Sequence, residues 1–155
     1  MSWLDAETFR GVVEATPLVS IDLVVRDTEG RILLGRRNNR PAQGYWFVPG
    51  GRIRKNETLD AAFARLTQEE LGQPSERSAA RLMGVYEHLY EDSVFGTAPS
   101  THYVVLGYTL CCPIPADSLQ LPRKQHGEYR WWAPAAALAS EWVHDNTKAY
   151  LKPCE

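Results

Sequence analysis

The sequence predicts a single α+β domain over residues 1–155, in which strands and helices are mixed along the chain. Segments that alternate apolar and polar residues and are rich in β-branched side chains predict strands, whereas apolar residues at helical spacing predict helices. The two kinds of segment follow one another without the regular alternation of a doubly wound sheet, so an α+β or a layered α/β/α domain fits the pattern better. At 155 residues, the chain is long enough to bury a substantial core.

The individual elements follow from these patterns and from the residues that bound them. In chain order, we predict a helix over about 5–15, strands over 18–26, 31–36 and 45–48, a helix over 58–71, strands over 82–90, 102–111 and 129–132, and helical turns beyond. Asp5 is a suitable N-cap for the first helix. Asp27 to Gly30 is typical of a turn, and Pro49-Gly50-Gly51 is expected to close the third strand. Gly72 is expected to end the second helix.

The composition excludes several classes of protein. A net charge of −2 argues against a general nucleic-acid binder, so an anionic ligand would need local positive charge. Three cysteines, of which Cys111 and Cys112 are adjacent, form neither a disulfide framework nor a zinc-binding pattern. The N-terminal residues lack the blocks of a signal peptide, and no apolar run is long enough to span a membrane. We therefore expect a cytoplasmic protein with neither a nucleic-acid nor a membrane partner.

The helix predicted over 58–71 carries an acid on its apolar side. On a helical wheel, Leu59, Phe63 and Leu66 share the face expected to point to the core. Glu70 falls between Phe63 and Leu66, and burying an unpaired carboxylate there would cost several kcal/mol. Either a cation compensates Glu70, or the helix end lets this side chain bend into solvent.

The segment before this helix suits a phosphorylated ligand. Gly50 and Gly51 allow close approach of the backbone, because glycine has no Cβ. Basic residues lie on both sides of the glycine pair: Arg36, Arg37, Arg40, Arg52, Arg54 and Lys55. Guanidinium groups bind phosphate and carboxylates bind Mg²⁺, so the combined pattern indicates a Mg²⁺-diphosphate site.

Residues 51–72 resemble the signature of the Nudix hydrolase family, G-x5-E-x7-R-E-U-x-E-E-x-G-U, where U is bulky and aliphatic. The matching residues are Gly51, Glu57, Arg65, Glu69, Glu70 and Gly72. Leu66 stands where the signature has a glutamate, and Thr67 and Gln73 depart from the aliphatic positions. The resemblance implies an α/β/α sandwich with a central mixed sheet. It also implies Mg²⁺-dependent hydrolysis of a nucleoside diphosphate joined to another group.

Most of the chain also resembles the GDP-mannose mannosyl hydrolase branch of that family. The similar segments are TPLVSID, LLGRRNNRPAQGYWFVPGGR, THYVVLGY and QHGEYRW. This resemblance implies hydrolysis of GDP-mannose, or of GDP-glucose, to GDP and the free sugar. The C–O bond would break with inversion at the anomeric carbon. It further implies a Mg²⁺ cofactor, replaceable by Mn²⁺, and a homodimer.

The branch resemblance assigns a metal site and a base. Three carboxylates at positions 66, 69 and 70 would converge on one patch of the helix, and Leu66 removes one of them. The resemblance implies one Mg²⁺, bound by the Gly50 carbonyl, Glu70 and Gln125. His126 is the implied general base, because imidazole titrates near neutral pH. Glu69 either adds a metal ligand or braces Arg65. Glu57 is expected to favour the helix dipole and to fix the preceding loop.

Five further residues have predicted roles at the site, and for three of them an ordinary structural role is the alternative. Arg37 and Arg52 are expected to bind the phosphates, and the Tyr103 hydroxyl either contacts a phosphate oxygen or packs in the fold. Asp22 and His88 each either contact sugar hydroxyls or stabilise positive charge at the anomeric carbon, or are exposed strand residues. An ordinary Nudix pyrophosphohydrolase that cleaves the P–O bond is the alternative enzyme. A catalytically silent nucleotide-binding module is the non-enzymatic alternative.

Overall fold

The computed structural model describes residues 4–112, 115–116, 119–121 and 126–152; for His126 the description covers the backbone. The strands are β1 (Leu18–Arg26), β2 (Ile32–Arg37), β3 (Trp46–Phe47), β4 (Gly50–Arg52), β5 (Arg81–Tyr90), β6 (Thr101–Cys111) and β7 (His126–Trp132). The α-helices are α1 (Ala6–Ala15), α2 (Leu59–Leu71), α3 (Pro134–Ala139) and α4 (Asp145–Lys148), and a 3-10 turn covers Arg77–Ala79.

The strands form one mixed sheet, as predicted. Its main path runs β3-β2-β1-β6-β5, with β4 paired to β1 and β7 paired to β2. Strands β1 and β6 are parallel, whereas the other pairs are antiparallel. Strand β1 therefore lies at the centre, where it contacts β2, β4 and β6. This central strand brings residues that are distant in sequence to one region of the sheet.

Each face of the sheet has its own hydrophobic core. Helix α2 packs Phe63, Leu66 and Leu71 against Ile21 and neighbouring residues of β1 on one face. On the other face, side chains of β1 and β2 pack against the C-terminal helices in a cluster that contains Val24, Leu34, Trp46, Trp132, Val143 and Tyr150. The three-layered α/β/α arrangement follows from these two cores.

The ends of α2 are formed by the residues that the sequence indicates. The Thr58 hydroxyl accepts a hydrogen bond from the Ala61 N–H and caps the first turn. Gly72 adopts a left-handed conformation with φ 74°, and a Cβ there would come within 2.7 Å of the Gln120 carbonyl oxygen. A glycine is therefore needed at this C-terminus, for both its backbone conformation and its small size.

Three expectations about the elements need correction. Leu59 is 38% exposed, because it lies in the first turn of α2 and does not reach the core that Phe63 enters. Gly50 begins a short strand instead of closing one, because it pairs with Asp22 of β1. Strand β7 begins at His126, three residues before the predicted strand at 129, because its backbone pairs with β2 as far as Arg37.

Candidate active site

A cleft of about 300 Å³ is lined by residues of α1 and of strands β1, β2, β4, β5 and β6. Six of the nine predicted site residues line it: Asp22, Arg37, Gly50, Arg52, His88 and Tyr103. These residues come from five different strands, so the sheet brings together side chains that lie up to 81 positions apart in the sequence, from Asp22 to Tyr103. Gln125 lies outside the described residues. The backbone of His126 pairs with Arg37, so β7 begins beside a residue of the cleft.

The pairing of β1 with β4 determines one wall of the cleft. Asp22 pairs with Gly50, and a Cβ added to Gly50 would lie 2.7 Å from the Asp22 Oδ1 and would also collide with the Ile21 carbonyl oxygen. Only glycine fits this position. The close approach leaves the Gly50 backbone next to the Asp22 carboxylate.

Asp22 is held by a partly buried hydrogen bond from the C-terminal part of the chain. The Tyr150 hydroxyl donates to the Asp22 Oδ2 at 2.7 Å. Burial raises the pKa of Asp22 to about 7, and the Tyr150 hydrogen bond and the Arg37 charge both oppose that rise. Of the two alternatives for Asp22, an exposed strand residue is therefore wrong, since this carboxyl is desolvated and lines the cleft.

Two guanidinium groups give the cleft local positive charge. The Arg37 guanidinium carbon lies 5.2 Å from the centre of the Phe47 ring, and that of Arg52 lies 4.9 Å from the Phe9 ring. Burial raises the pKa of Tyr103, while both arginines oppose the rise, so its hydroxyl lies within their combined field. Arginines and a neutral hydroxyl are suitable donors for phosphate oxygens.

His88 is buried at the cleft and has an unused polar atom. Within the described residues, its Nε2 has no hydrogen-bond partner. Burial lowers the pKa of His88 to about 4, and the nearby His144 lowers it further. The imidazole is therefore neutral near pH 7 and can donate or accept one hydrogen bond to a bound ligand. An exposed strand position, the alternative for His88, is wrong.

Leu66, which stands where the family signature has a glutamate, is part of the hydrophobic core. Leu66 is buried, and a Cβ at Gly51 would come within 2.5 Å of the Leu66 Cδ2. The side chain therefore packs on the glycine that precedes Arg52. A glutamate at this position would place its charge in the apolar cluster beneath the glycine pair, unless a metal ion neutralised it.

Glu70 lies on the inward side of α2, as the helical wheel predicts. It is only 5% exposed, so the alternative that it bends into solvent is wrong. Burial raises the pKa of Glu70 to about 7, and the neighbouring Glu69 charge raises it further against the opposing charges of Arg37 and Arg65. The hydrogen bonds and ion pairs within the described part of the chain do not include this carboxylate. Glu70 therefore fits a hard divalent cation, which would supply the missing positive charge.

The described residues hold no group of three or more His, Cys, Asp or Glu side chains arranged to bind a metal ion. A site built on Glu70 thus fits a metal held by one side chain of α2 with other oxygen donors. The Gly50 carbonyl is one such donor type.

The other acids of the signature are engaged by arginines. Arg65 donates to both oxygens of Glu57, at 2.6 Å and 2.9 Å, and to the Arg52 carbonyl at 2.9 Å. Glu69 accepts from Arg65 at 3.0 Å and lies 3.8 Å from Arg54. The brace is therefore the observed state of Glu69. Glu57 fixes the loop as expected, because it accepts hydrogen bonds from Arg65 and, at 3.0 Å, from the Arg54 N–H.

Sequence reasoning missed several residues that build the cleft. Phe9, Phe47 and Tyr90 line it, and Tyr150 supports it from behind. The alternation of Tyr86, His88 and Tyr90 along β5 was a usable signal, because residues two apart on a strand share a face. Tyr150 had no local signal, since it contacts a residue 128 positions away.

Comparison with known proteins identifies the class of protein. Residues 16–152 match the NUDIX domain, so the chain belongs to the Nudix family. Members of this family are hydrolases of nucleotide derivatives and generally use divalent metals such as Mg²⁺. No helix within the described residues combines the length and apolar character needed to cross a bilayer.

Two relatives are similar at the level of sequence. The low-salt glycan biosynthesis protein Agl8 of Haloferax volcanii is 37% identical over 145 residues, which cover 94% of this chain and 86% of that protein. An ADP-ribose pyrophosphatase of Methanocaldococcus jannaschii is 37% identical over 71 residues, which cover 45% of this chain and 40% of that protein.

Solved structures share the fold. A MutT NUDIX hydrolase from Burkholderia pseudomallei is 26% identical with a TM-score of 0.69, covering 88% of this chain and 96% of that one. The NUDIX domain of NrtR from Shewanella oneidensis, solved with ADP ribose, is 20% identical with a TM-score of 0.63, covering 95% of this chain and 94% of that one. The predicted Nudix sandwich is confirmed.

Proposed function

We propose that this protein hydrolyses GDP-mannose, or GDP-glucose, to GDP and the free sugar by cleaving the C–O bond with inversion at the anomeric carbon. The observation that carries the proposal is the burial of Leu66 against Gly51. Leu66 replaces the glutamate of the family signature. The patch therefore lacks one of the acids that would otherwise bind several cations and activate water for attack on phosphorus. Glu70 then remains as the buried carboxylate of α2 that no described residue pairs.

The metal and the arginines together would stabilise the leaving group. Glu70, the Gly50 carbonyl and Gln125 would hold Mg²⁺, with Mn²⁺ as a substitute, and the bound ion would neutralise charge on the departing diphosphate. Arg37 and Arg52 carry permanent positive charge into the cleft and would bind the phosphate oxygens. The Tyr103 hydroxyl, which lies within their field, would donate a further hydrogen bond.

At the anomeric carbon, the reaction needs a base that activates water and a group that stabilises the positive charge developing on the sugar. In an inverting displacement, a base activates water on the face of the sugar opposite to the leaving group. His126 would be that base, and the pairing of its backbone with Arg37 of the cleft supports the assignment. Asp22 would stabilise positive charge at the anomeric carbon. His88, as a neutral imidazole, would hydrogen-bond a sugar hydroxyl.

The sequence relatives support a substrate of this class and suggest one rival. Agl8 is named for glycan biosynthesis, which requires activated sugars, and it matches nearly the whole chain. The shorter match to an ADP-ribose pyrophosphatase favours the alternative, in which the P–O bond of a nucleoside diphosphate derivative is cleaved. The proposal further includes a cytoplasmic homodimer, on the resemblance to the mannosyl hydrolase branch.

Identification of the products distinguishes the two activities. The enzyme is incubated with Mg²⁺ and each of GDP-mannose, GDP-glucose and ADP-ribose, and the products are separated by anion-exchange chromatography. The proposal predicts GDP and free mannose or glucose. GMP with a sugar phosphate would establish the alternative and overturn the proposal.

A variant separates chemistry from binding. His126→Ala is expected to lose turnover and to retain GDP affinity, measured by isothermal titration. A variant that turns over at the wild-type rate would exclude His126 as the base. A variant that no longer binds GDP would assign this residue to the nucleotide site instead.

A further inference from the structure

Tyr150 reaches the cleft from the C-terminal end of the fold. It lies two residues after the end of α4, in the buried cluster opposite α2, and its hydroxyl donates to the Asp22 Oδ2 at 2.7 Å. Tyr150 does not itself line the cleft, whereas Asp22 does. The hydroxyl therefore approaches the carboxylate from behind.

The ring of Tyr150 is held in place by packing. Its centroid lies 4.7 Å from that of Tyr86, with the two planes at 75°. A Cβ added to Gly107 would come within 2.7 Å of the Tyr150 Cε1. The glycine thus leaves space that the ring occupies, and the surrounding contacts restrict the direction in which the hydroxyl points.

The two oxygens of Asp22 have different surroundings. Oδ2 accepts the hydrogen bond from Tyr150, whereas Oδ1 lies over the Gly50 backbone, which also lines the cleft. A carboxylate with one oxygen tied from behind keeps its other oxygen in a defined position. Without this bond, the terminal torsion of an aspartate is broad, so the carboxylate would sample other orientations.

We propose that Tyr150 is a positioning residue that holds the Asp22 carboxylate in the orientation required at the anomeric carbon of the substrate. This inference rests on the proposed function, because it requires Asp22 to act on the sugar. Tyr150 touches neither substrate nor metal in this account and acts only through Asp22. Its contribution therefore depends on the presence of the carboxylate.

Tyr150→Phe removes the hydroxyl and keeps the ring. We expect kcat to fall roughly 10- to 100-fold, the scale on which misplacement of a reacting group acts. KM and GDP affinity should stay unchanged, since Tyr150 is proposed to act on the anomeric centre through Asp22 and GDP lacks the hexose that carries it. Tyr86→Phe is the matched control, because it makes the same change on the neighbouring ring and the described residues include no hydrogen-bond partner for the Tyr86 hydroxyl. It should leave kcat unchanged.

A double-mutant cycle tests whether Tyr150 acts through Asp22. In an Asp22→Asn background, Tyr150→Phe should cause no further fall in the rate constant of cleavage, which is measured in single turnover with enzyme in excess. Equal fold-losses in the two backgrounds would overturn the proposal, as would an unchanged kcat or a loss confined to KM. A crystal structure of Tyr150→Phe provides a second measurement, in which an unmoved Asp22 carboxylate would also overturn it.

The failure of this proposal differs from a failure of the proposed function. The products are identified for the wild type and for each variant. Cleavage at phosphorus by the wild type would refute the proposed function. Correct cleavage at carbon combined with independent effects of the two substitutions would refute only the role of Tyr150.

Discussion

Glu57→Gln perturbs the ion pair that connects α2 to the loop between α2 and the glycine-rich strand β4. Both oxygens of Glu57 accept from Arg65, and the same guanidinium donates to the Arg52 carbonyl. The substitution preserves size and removes one charge, which leaves Arg65 with a poorer partner. The expected result is lower stability and a displaced Arg52, hence lower activity.

The magnitude follows from burial. The Glu57 side chain is 9% exposed and that of Arg65 is 16% exposed, so water screens the pair weakly. The pair is partly buried. Breaking a fully buried pair costs about 3–5 kcal/mol, and the partial burial together with residual hydrogen bonding by Gln reduces this to about 2–3 kcal/mol. Asp60→Asn is the matched control, because Asp60 pairs with Arg77 at the same 2.6 Å but is 78% exposed. This exposed pair is worth about 0–1 kcal/mol.

Urea unfolding and thermal unfolding, both monitored by Trp fluorescence, measure the stability of both variants. A loss of about 2–3 kcal/mol lowers the melting temperature by roughly 5–10 °C in a domain of this size. The hydrogen bond from Arg65 lowers the pKa of Glu57 below its ordinary value of 4.5. The stabilisation is therefore present above that value and is lost as the pH falls through the lower, folded-state pKa. Equal losses for Glu57→Gln and Asp60→Asn at pH 7 would refute the reasoning.

The remaining predictions concern the buried groups of the site. Glu70→Gln should lose far more activity than Glu69→Gln, because Glu69 is already paired with arginine; equal losses would contradict the single-carboxylate metal site. Leu66→Glu should lower the free energy of unfolding by roughly 2–4 kcal/mol, since it buries a charge against Gly51; calorimetry showing wild-type stability would contradict the packing argument. His88 has a folded pKa of about 4 and a reference value of 6.5, so the unfolded chain binds more protons between these values. The wild type should therefore lose stability on going from pH 7 to pH 4.5, and His88→Gln should lose less in the same urea titrations. An identical pH profile for the variant would contradict the buried neutral imidazole.

Local patterns predicted much of helix α2. Its start near Thr58, its glycine stop and the inward direction of Glu70 all depend on residues within one or two turns. The helical wheel wrongly predicted that Leu59 is buried. Periodicity assigns a residue to a face of the helix, but it does not say which turns of that face contact the core. Local sequence patterns therefore predict the face of a helix on which a side chain lies better than they predict how deeply that side chain is buried.

The contacts that orient the site are long-range and escaped sequence reasoning. Asp22 meets Tyr150 across 128 residues, and Arg65 reaches the Arg52 carbonyl across 13. Such pairs depend on sheet topology and on the packing of separate helices, which local propensity does not determine. The resemblance identified cleft residues on five strands, but only the fold explains why they meet.

Hydrolysis in H₂¹⁸O tests the central claim most directly. The enzyme is given GDP-mannose and Mg²⁺, and both products are analysed by mass spectrometry. Attack of water at carbon predicts ¹⁸O in the free mannose and none in GDP. Label in a phosphate-containing product would contradict the account.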